Sequence, residues 1–197
     1  RFTGVQSRES ESVEAPSSRG AYVEAIQDRL DTIKAALAGV DLFISPSAFL
    51  RQKFIECGMV PAERIIASDN GQDQTPFKAV ARTPSRQLRV GYIGTISEYK
   101  GVHVLIDAMN LAADLHDVRC DIWGSLHSFP EYAQSLPSRI SNPRTRLRGR
   151  YDPKDVGHVL SELDAIIVPS LWYENSPLTI HEAFIAGIPV IASRLGG

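Results

Sequence analysis

The chain has 197 residues, of which 43% are apolar and 22% charged, a composition typical of a globular protein with a packed core. Its formal net charge of −2 argues against a general nucleic-acid binder, which needs a broad basic surface to neutralise phosphates. The two cysteines have no ligand-spaced partners, so they indicate neither a zinc site nor a disulfide framework, and we expect a reducing, cytoplasmic setting.

The two ends of the chain suggest that it is part of a longer protein. It begins at Arg1 rather than Met, and it stops at Gly197 directly after an apolar strand pattern. We interpret both ends as truncations. The sequence contains no apolar run of roughly 18 residues and no basic-then-apolar signal pattern, so we expect neither a membrane span nor a leader.

The first part of the chain combines helix and strand patterns. Residues 1–20 are polar and predict a loop or a disordered segment. Apolar residues then recur at helical spacing from Tyr22 to Leu37, and 41–45 predict a short strand. Ser47 is placed to cap a helix that ends at Gly58, and 64–68 are extended. A polar stretch with two prolines over 72–87 predicts a linker between two folding units, 1–71 and 88–197.

After the linker, strand and helix patterns alternate regularly. The predicted strands are 88–93, 118–123, 145–148, 165–168 and 188–192. Helices are predicted in the gaps: one with Val102 and Ile106 on its buried face, one starting at Pro153 behind the cap Asp152, and one starting at Pro177 behind the cap Ser176. This alternation predicts an α/β fold, with a Rossmann-like parallel sheet covered by helices on both faces.

Unusual residues follow the carboxyl ends of these strands, where open parallel sheets bind ligands. Glu174 lies in the loop before the last predicted helix, and Glu182 lies inside it, so both can border one crevice. Carboxylates accept hydrogen bonds from sugar hydroxyls, so Glu182 suits a ribose diol and Glu174 suits a hexose. The backbone amides of Leu178 and Thr179 are placed to hold a diphosphate at the positive end of the helix dipole.

Lys100 supplies the opposite charge after the first strand of the second unit. Its ammonium could neutralise a diphosphate and stabilise it as a leaving group. The remaining candidate donor contacts lie in the same loops, at Gly94, Thr95, Asn175 and Ser176. The loop that holds Gly149, Arg150 and Tyr151 is predicted to border a nucleobase.

Several ordered motifs together carry a family resemblance. They are a glycine and lysine run over 94–101, Val-Pro-Ser at 168–170, two glutamates separated by seven residues at 174 and 182, Ala-Gly-Ile-Pro-Val-Ile-Ala-Ser over 186–193, and a glycine pair at 196–197. This order resembles the donor domain of glycosyltransferase family 4, over residues 41–197.

The resemblance implies a GT-B architecture of two facing α/β domains and transfer of a hexose from a nucleotide diphosphate sugar with retention of anomeric configuration. Residues 1–71 would then be the end of the acceptor domain and 88–197 an incomplete donor domain. In that family the lysine at the position of Lys100 meets the diphosphate, the glutamate at that of Glu174 meets the donor sugar, and the glutamate at that of Glu182 meets ribose. No bound metal is expected. The family often has an arginine where this chain has Thr95, so one diphosphate contact is either absent or supplied by another residue.

The resemblance also implies partners for the whole protein. They are a nucleotide-sugar donor and a glycan or lipid-linked acceptor, as in surface polysaccharide assembly, with peripheral contact at the inner face of the membrane compatible with that role. We expect this stretch alone to be inactive, because most of the acceptor domain lies outside it.

Two other functions compete with this reading. A module that binds a nucleotide sugar without turnover would keep the same motifs. A dinucleotide-dependent oxidoreductase would need a G-x-G-x-x-G turn after the first strand of the sheet, and the sequence at 91–97 does not supply it. Three further features have ordinary structural explanations: the alternating arginines from 144 to 150 predict an exposed edge strand, the histidines lack metal-ligand spacing, and Trp172 and Tyr173 either line the crevice or simply pack.

Overall fold

The computed structural model describes residues 19–77 and 81–197 of the chain. The loop predicted for the first residues therefore lies outside the described residues, except at 19 and 20, which already belong to a helix. Within the described ranges the chain forms two parallel sheets, one of two strands and one of five.

The smaller sheet belongs to the first part of the chain, and its elements follow the predicted order. They are α1 (Arg19–Ala38), β1 (Phe43–Ser45), α2 (Ala48–Glu56) and β2 (Ile65–Ala67). Phe43 pairs with Ile65 and Ser45 with Ala67. Ser47 caps α2 as predicted, because its hydroxyl oxygen accepts a hydrogen bond from the Leu50 amide at 3.1 Å.

The apolar stripe of α1 is only partly covered by the described residues, at Ile33 and Leu37. None of the side chains of this helix is buried, and Tyr22 and Ile26 are 48% and 59% exposed. The helical spacing predicted the helix correctly, whereas its burial depends on what packs against it.

The larger sheet carries the second part of the chain. Its strands are β3 (Leu88–Ile93), β4 (Val118–Trp123), β5 (Thr145–Gly149), β6 (Ala165–Val168) and β7 (Val190–Ala192). They are arranged in the order β5-β4-β3-β6-β7, all parallel. The order reverses direction between β3 and β6, and at such a switch point the loops after the two strands diverge and leave a crevice at the carboxyl edge.

Four helices in the described part of the chain cover the two faces of this sheet. They are α3 (Val102–Leu111), α4 (Pro130–Arg139), α5 (Val156–Ser161) and α6 (Leu178–Ile185). α3 and α4 pack with Ile122 in one apolar cluster, and α5 and α6 pack with Ile166 in the other. Each fully buried side chain of this size contributes about 1.5–3 kcal/mol of transfer free energy, so the two clusters hold the strand ends in fixed positions.

The structure corrects three details of the prediction. α4 was not identified, because Pro137 and several polar residues interrupt its apolar pattern. β7 begins at Val190 rather than 188, since the Ile188 amide bonds back to Ala183 at the end of α6 and Pro189 has no amide hydrogen. α6 begins at Leu178 with Pro177 at the cap position, and Ser176 does not cap it. No helix in the described ranges has the length and hydropathy needed to traverse a lipid bilayer.

Candidate functional site

Two adjoining cavities open at the carboxyl edge of the larger sheet, at the switch point between β3 and β6. Their volumes are about 320 Å³ and about 330 Å³. The residues that line both are Ile93, Gly94, Thr95, Leu178 and Thr179. The first cavity extends toward β4 and β5, and the second toward the loop after β6.

The second cavity contains an ion pair between two loops. Lys100 Nζ donates hydrogen bonds to Glu174 Oε1 at 2.7 Å and to Oε2 at 2.8 Å. Lys100 ends a short 3-10 turn after β3, and Glu174 lies in the loop after β6. The Lys100 side chain is 29% exposed and that of Glu174 14% exposed, so the pair is partly shielded from water. A positive and a negative group therefore face the same small volume.

A third residue completes this cluster. The Ser170 hydroxyl donates to Glu174 Oε1, the oxygen that also accepts from Lys100. Ser170 is 1% exposed and follows β6 by two residues. The Glu174 carboxylate thus accepts hydrogen bonds from the flexible side chain of Lys100 and from the short, buried side chain of Ser170.

The first cavity is lined by Glu182 and by an aromatic wall. Burial raises the pKa of the Glu182 carboxyl above its ordinary value. Burial, and then the neighbouring Glu182, raise the pKa of the Tyr151 phenol. The Tyr151 ring packs edge-to-face against Trp123 with centroids 6.1 Å apart, and Arg150 also lines the cavity. A carboxylate beside an aromatic surface can hold a polar ring system such as a nucleoside.

The start of α6 lies between the two cavities. The first amide N–H groups of a helix have no intrahelical acceptor, and they carry the positive end of the dipole. Leu178 and Thr179, the first two residues of α6, line both cavities. The Thr179 hydroxyl donates to the carbonyl oxygen of Ile93 at 3.2 Å, which fixes this helix start to the end of β3. An anion would be stabilised here from both sides, by the amides and by Lys100.

Tyr92 supports the loop that borders both cavities. Its hydroxyl donates to the carbonyl oxygen of Thr95 at 2.6 Å, and its side chain is buried. Burial, followed by the charge of Glu174, raises the pKa of this phenol, so it remains a neutral donor. The loop is also tightly packed on its other side, because a β-carbon on Gly124 would lie 2.1 Å from the Gly94 carbonyl oxygen.

Nine of the predicted residues line one or both cavities. They are Gly94, Thr95, Lys100, Arg150, Tyr151, Glu174, Leu178, Thr179 and Glu182. The roles assigned to them from the sequence stay predictions.

Three predicted residues lie elsewhere. Gly149 uses its carbonyl oxygen to accept from the Gly124 amide and does not line either cavity. Asn175 is exposed, and it too is outside both linings. Ser176 turns away: its hydroxyl donates to Asp69 at 3.3 Å and lies 3.0 Å from His181 Nε2, in a separate cavity beside β2.

Sequence reasoning assigned no role to Tyr92, Ser125 or Ser170, which also line these cavities. Ser125 and Ser170 each follow a strand by two residues, so the rule that ligands bind at strand carboxyl ends places both at this edge without showing what they contact. Tyr92 lies within an apolar strand, where nothing in the sequence separates it from a core residue. Among residues 19–77 and 81–197, no group of three or more His, Cys, Asp or Glu side chains is placed to hold a metal ion.

Comparisons with known proteins identify a family for the second part of the chain. Residues 87–197, more than half of the chain, match the family described as Glycosyl transferases group 1. Spore coat protein SA of Bacillus subtilis (strain 168) is 27% identical over 114 residues, which is 54% of this chain and 30% of that protein. Sulfoquinovosyl transferase SQD2 of Arabidopsis thaliana is 23% identical over 167 residues, or 80% of this chain and 31% of that protein.

Solved structures resemble most of the chain. Anabaena Alr3699/HepE in complex with UDP has a TM-score of 0.74 at 25% identity, covering 87% of this chain and 50% of that one. Sucrose-phosphate synthase from Thermosynechococcus elongatus has a TM-score of 0.72 at 24% identity, covering 87% and 45%. The chain spans about half the length of these structures and about a third of the two sequence relatives.

Proposed function

The chain belongs to the glycosyl transferases group 1 family, and from this membership we propose that the whole protein is a retaining glycosyltransferase that moves a hexose from a nucleotide diphosphate sugar to a glycan or lipid-linked acceptor. The predicted fold class is confirmed, since the solved structures that share this α/β fold are GT-B glycosyltransferases. The specific membership of family 4 is part of the proposal.

The division of the chain into two domains is also part of the proposal. Residues 1–71 would end the acceptor domain, 72–87 would link the domains, and 88–197 would form most of the donor domain. In support, the two parts meet beside the candidate site: the rings of Phe49 and Tyr173 lie 5.3 Å apart, and Asp69 accepts from Ser176. The loop that carries Glu174 therefore borders the interdomain cleft of the proposed architecture.

The ion pair in the second cavity carries the proposal. Lys100 and Glu174 come from different loops and face each other at the start of α6, where an anion is favoured. We assign the diphosphate to the space between Lys100 and the amides of Leu178 and Thr179, and the hexose to the second cavity beside Glu174. The first cavity then receives the nucleoside, with Glu182 accepting from the ribose hydroxyls and Tyr151 bordering the base.

The chemistry follows from these positions. Transfer breaks the bond between the anomeric carbon and the diphosphate oxygen, and the bonding electrons remain on the diphosphate. Lys100 and the helix dipole stabilise that developing negative charge, so we propose that no bound metal is required. The acceptor hydroxyl forms the new bond to the anomeric carbon on the face that the diphosphate leaves, which retains the configuration, and its proton passes to the departing diphosphate oxygen. Glu174 accepts hydrogen bonds from hexose hydroxyls and holds the sugar in place for this step.

We propose UDP as the nucleotide and glucose as the first sugar to test. The support is the structural likeness to Anabaena Alr3699/HepE, whose structures include complexes with UDP and with UDP-glucose. The family resemblance supports a place in surface polysaccharide assembly, in the cytoplasm with peripheral contact at the inner face of the membrane.

Binding measurements on the full-length protein test the proposal. We expect UDP to bind in a calorimetric titration, and we expect Glu182→Ala to weaken binding by about tenfold or more, because a hydrogen bond to a charged acceptor is lost. Glu162→Ala, which changes a glutamate at the end of α5 outside both cavity linings, is the matched control. A folded sample that binds neither UDP nor UDP-glucose would refute the assignment of the site.

An activity assay distinguishes this proposal from the alternative, a module that binds nucleotide sugars without turnover. The full-length protein should release UDP from UDP-glucose in the presence of acceptor glycans or lipids, and slowly by hydrolysis in their absence. Tight donor binding without either reaction, across a panel of donors, would favour the module.

A further inference from the structure

The Glu174 carboxylate has two kinds of hydrogen-bond donor in the absence of substrate. Lys100 Nζ reaches both oxygens, at 2.7 Å and 2.8 Å, and the Ser170 hydroxyl reaches Oε1. The two donors come from different loops, one after β3 and one after β6. The carboxylate therefore has more support in the empty site than a single ion pair would give.

Lys100 has a second candidate partner when a donor substrate is bound. In the proposed function its ammonium serves the diphosphate, and a diphosphate offers a greater negative charge than one carboxylate. A lysine side chain has a flexible four-carbon stem and a compact charged end, and that of Lys100 is 29% exposed, so it is free to change partner. Nucleotide binding would therefore draw Lys100 away from Glu174 and weaken this pair.

Ser170 has the opposite character. It is 1% exposed, its side chain has a single rotatable carbon bond before the hydroxyl, and its backbone lies between the end of β6 and Leu171. The preceding residue, Pro169, is packed so closely on Gly101 that a β-carbon there would lie 2.0 Å from the Pro169 carbonyl oxygen. The Leu171 amide that follows donates to the Tyr99 carbonyl at 2.8 Å. The backbone of Ser170 is therefore held by contacts of both neighbouring residues.

We propose that Ser170 is a positioning residue for the donor sugar: it holds the Glu174 carboxylate toward the hexose while Lys100 leaves that carboxylate for the diphosphate. This inference rests on the proposed function and assigns different roles to the two donors of Glu174. Lys100 is the donor that exchanges partners, and Ser170 is the donor that stays. The sugar would then meet a carboxylate whose orientation is already set, so less of the binding energy is lost in ordering it.

The test compares UDP with UDP-glucose in calorimetric titrations of the full-length protein. The ratio of the two affinities isolates the contribution of the hexose, because both ligands carry the same nucleotide. In Ser170→Ala we expect the affinity for UDP-glucose to fall about tenfold while that for UDP changes less than about twofold, since only the support of Glu174 is lost. Ser170→Thr, which keeps a hydroxyl, should recover most of the loss.

A matched control is available in Ser161, a second buried serine. Its hydroxyl donates to the His158 carbonyl at 2.7 Å, and it lies in α5 outside both cavity linings. Ser161→Ala should change neither affinity. If Ser170→Ala weakens UDP and UDP-glucose equally, its role is only structural and the inference is wrong; it is equally wrong if Ser170→Ala matches the wild type.

Lys100→Met provides a second, independent measurement that does not depend on the serine variant folding. It should weaken UDP binding by about tenfold or more through loss of the charge on the diphosphate. The ratio of UDP-glucose to UDP affinity should nevertheless stay near that of the wild type, because Ser170 still holds Glu174. A ratio that falls together with the UDP affinity would show that Lys100, not Ser170, positions the carboxylate. A wild-type protein that binds neither ligand would refute the proposed function itself.

Discussion

Gly101 lies directly against the carbonyl oxygen of Pro169, at a distance that leaves no room for a side chain: a β-carbon would be 2.0 Å from that oxygen. Gly101 follows Lys100, and Pro169 precedes Ser170 by one residue. The close approach therefore joins the loop after β3 to the loop after β6, and it sets the distance across which Lys100 and Glu174 meet.

Substituting this glycine should damage both stability and the site. Gly101 and Gly58 both lie in the left-handed region, with φ angles of 70° and 61°. A β-carbon added to Gly58 would have no other atom within 4 Å. Gly58→Ala should therefore cost about 1–2 kcal/mol of unfolding free energy, from backbone conformation alone. Gly101→Ala should cost at least about 3 kcal/mol, because the steric overlap with a backbone carbonyl is added. Chemical denaturation of both variants measures the difference, and equal losses would contradict the packing argument.

Glu182 should make the stability of the protein depend on pH. Its pKa in the folded state is raised by burial, so the folded protein binds the proton more tightly than the unfolded chain does. The unfolding free energy should therefore decrease as the pH rises from about 4.3, the ordinary glutamate value, through the raised pKa. Glu182→Gln should lack this decrease and should be more stable than the wild type at neutral pH. Urea denaturation across this pH range measures both.

The same variant should bind UDP less well. An amide oxygen remains an acceptor but carries no charge, so we expect an affinity loss of up to about tenfold in calorimetry. Higher stability together with weaker binding is the signature of a carboxylate kept for function. A Glu182→Gln protein that is less stable than the wild type would contradict the assignment of burial as the cause of the pKa shift.

Removing one partner of the partly buried ion pair at the other end of β3 should destabilise the protein. The Arg89 guanidinium donates to Asp164 at 2.9 Å and 2.8 Å, and the Arg89 amide donates to the same carboxylate at 2.9 Å. Arg89 is 4% exposed. Asp164→Asn should cost about 3 kcal/mol of unfolding free energy, because it leaves a buried guanidinium without its counterion. Asp107→Asn, which neutralises a partner of Arg139 whose side chain is 43% exposed, should change stability little.

The ion pair between Arg89 and Asp164 should also make the unfolding free energy depend on pH in the acidic range. The hydrogen bonds from Arg89 lower the pKa of the Asp164 carboxyl. Its contribution is therefore present above the ordinary aspartate pKa of about 3.9 and is lost as the pH falls through the lowered folded-state pKa. The difference in unfolding free energy between the wild type and Asp164→Asn should shrink in that acidic range, and a difference independent of pH would contradict the assigned cause.

Tyr92→Phe should weaken the site through the Thr95 loop. Removing the hydroxyl leaves the Thr95 carbonyl without that donor, and we expect a loss of about 1–2 kcal/mol in unfolding free energy and a several-fold loss in UDP affinity. Tyr132→Phe is the matched control, because the Tyr132 hydroxyl accepts from the His103 amide at 3.1 Å and lies outside both cavity linings. The control should lose stability but keep UDP affinity. Unchanged binding in Tyr92→Phe would show that the loop does not need this hydrogen bond.

The sequence predicted the central strands well because of where they lie. β3, β4 and β6 lie inside the sheet, and their observed bounds match the prediction. β6 is a continuous apolar run, and β3 and β4 remain mostly apolar although Arg89, Arg119 and Asp121 interrupt them. β5 is an edge strand, as the alternating arginines indicated. α4 escaped notice because its buried face has only Ala133 and Leu136, which is too few for a clear helical period.

The candidate site was predictable where charge marked it. Glu174, Glu182 and Lys100 are ionisable residues in loops, and the topology of a parallel sheet brings those loops together. The destination of Ser176 could not be predicted, because Asp69 and His181 draw its hydroxyl to the opposite side of the loop. Such competition among hydrogen-bond partners depends on tertiary contacts that local sequence does not encode.

The sequence separation between Lys100 and Glu174 has a consequence for folding during synthesis of the chain. Lys100 and Glu174 are 74 residues apart, and they meet only after β6 has paired with β3. Contacts at such sequence separation form late and slowly, because a long loop must be closed first. A nascent chain that has emerged from the ribosome only as far as β5 already contains the lysine but has no partner for it. We therefore expect the chain to gain nucleotide affinity in one step, once the segment through Glu182 has left the ribosome and folded. Protection of the nascent chain from proteolysis by added nucleotide would show that folding of this domain is complete.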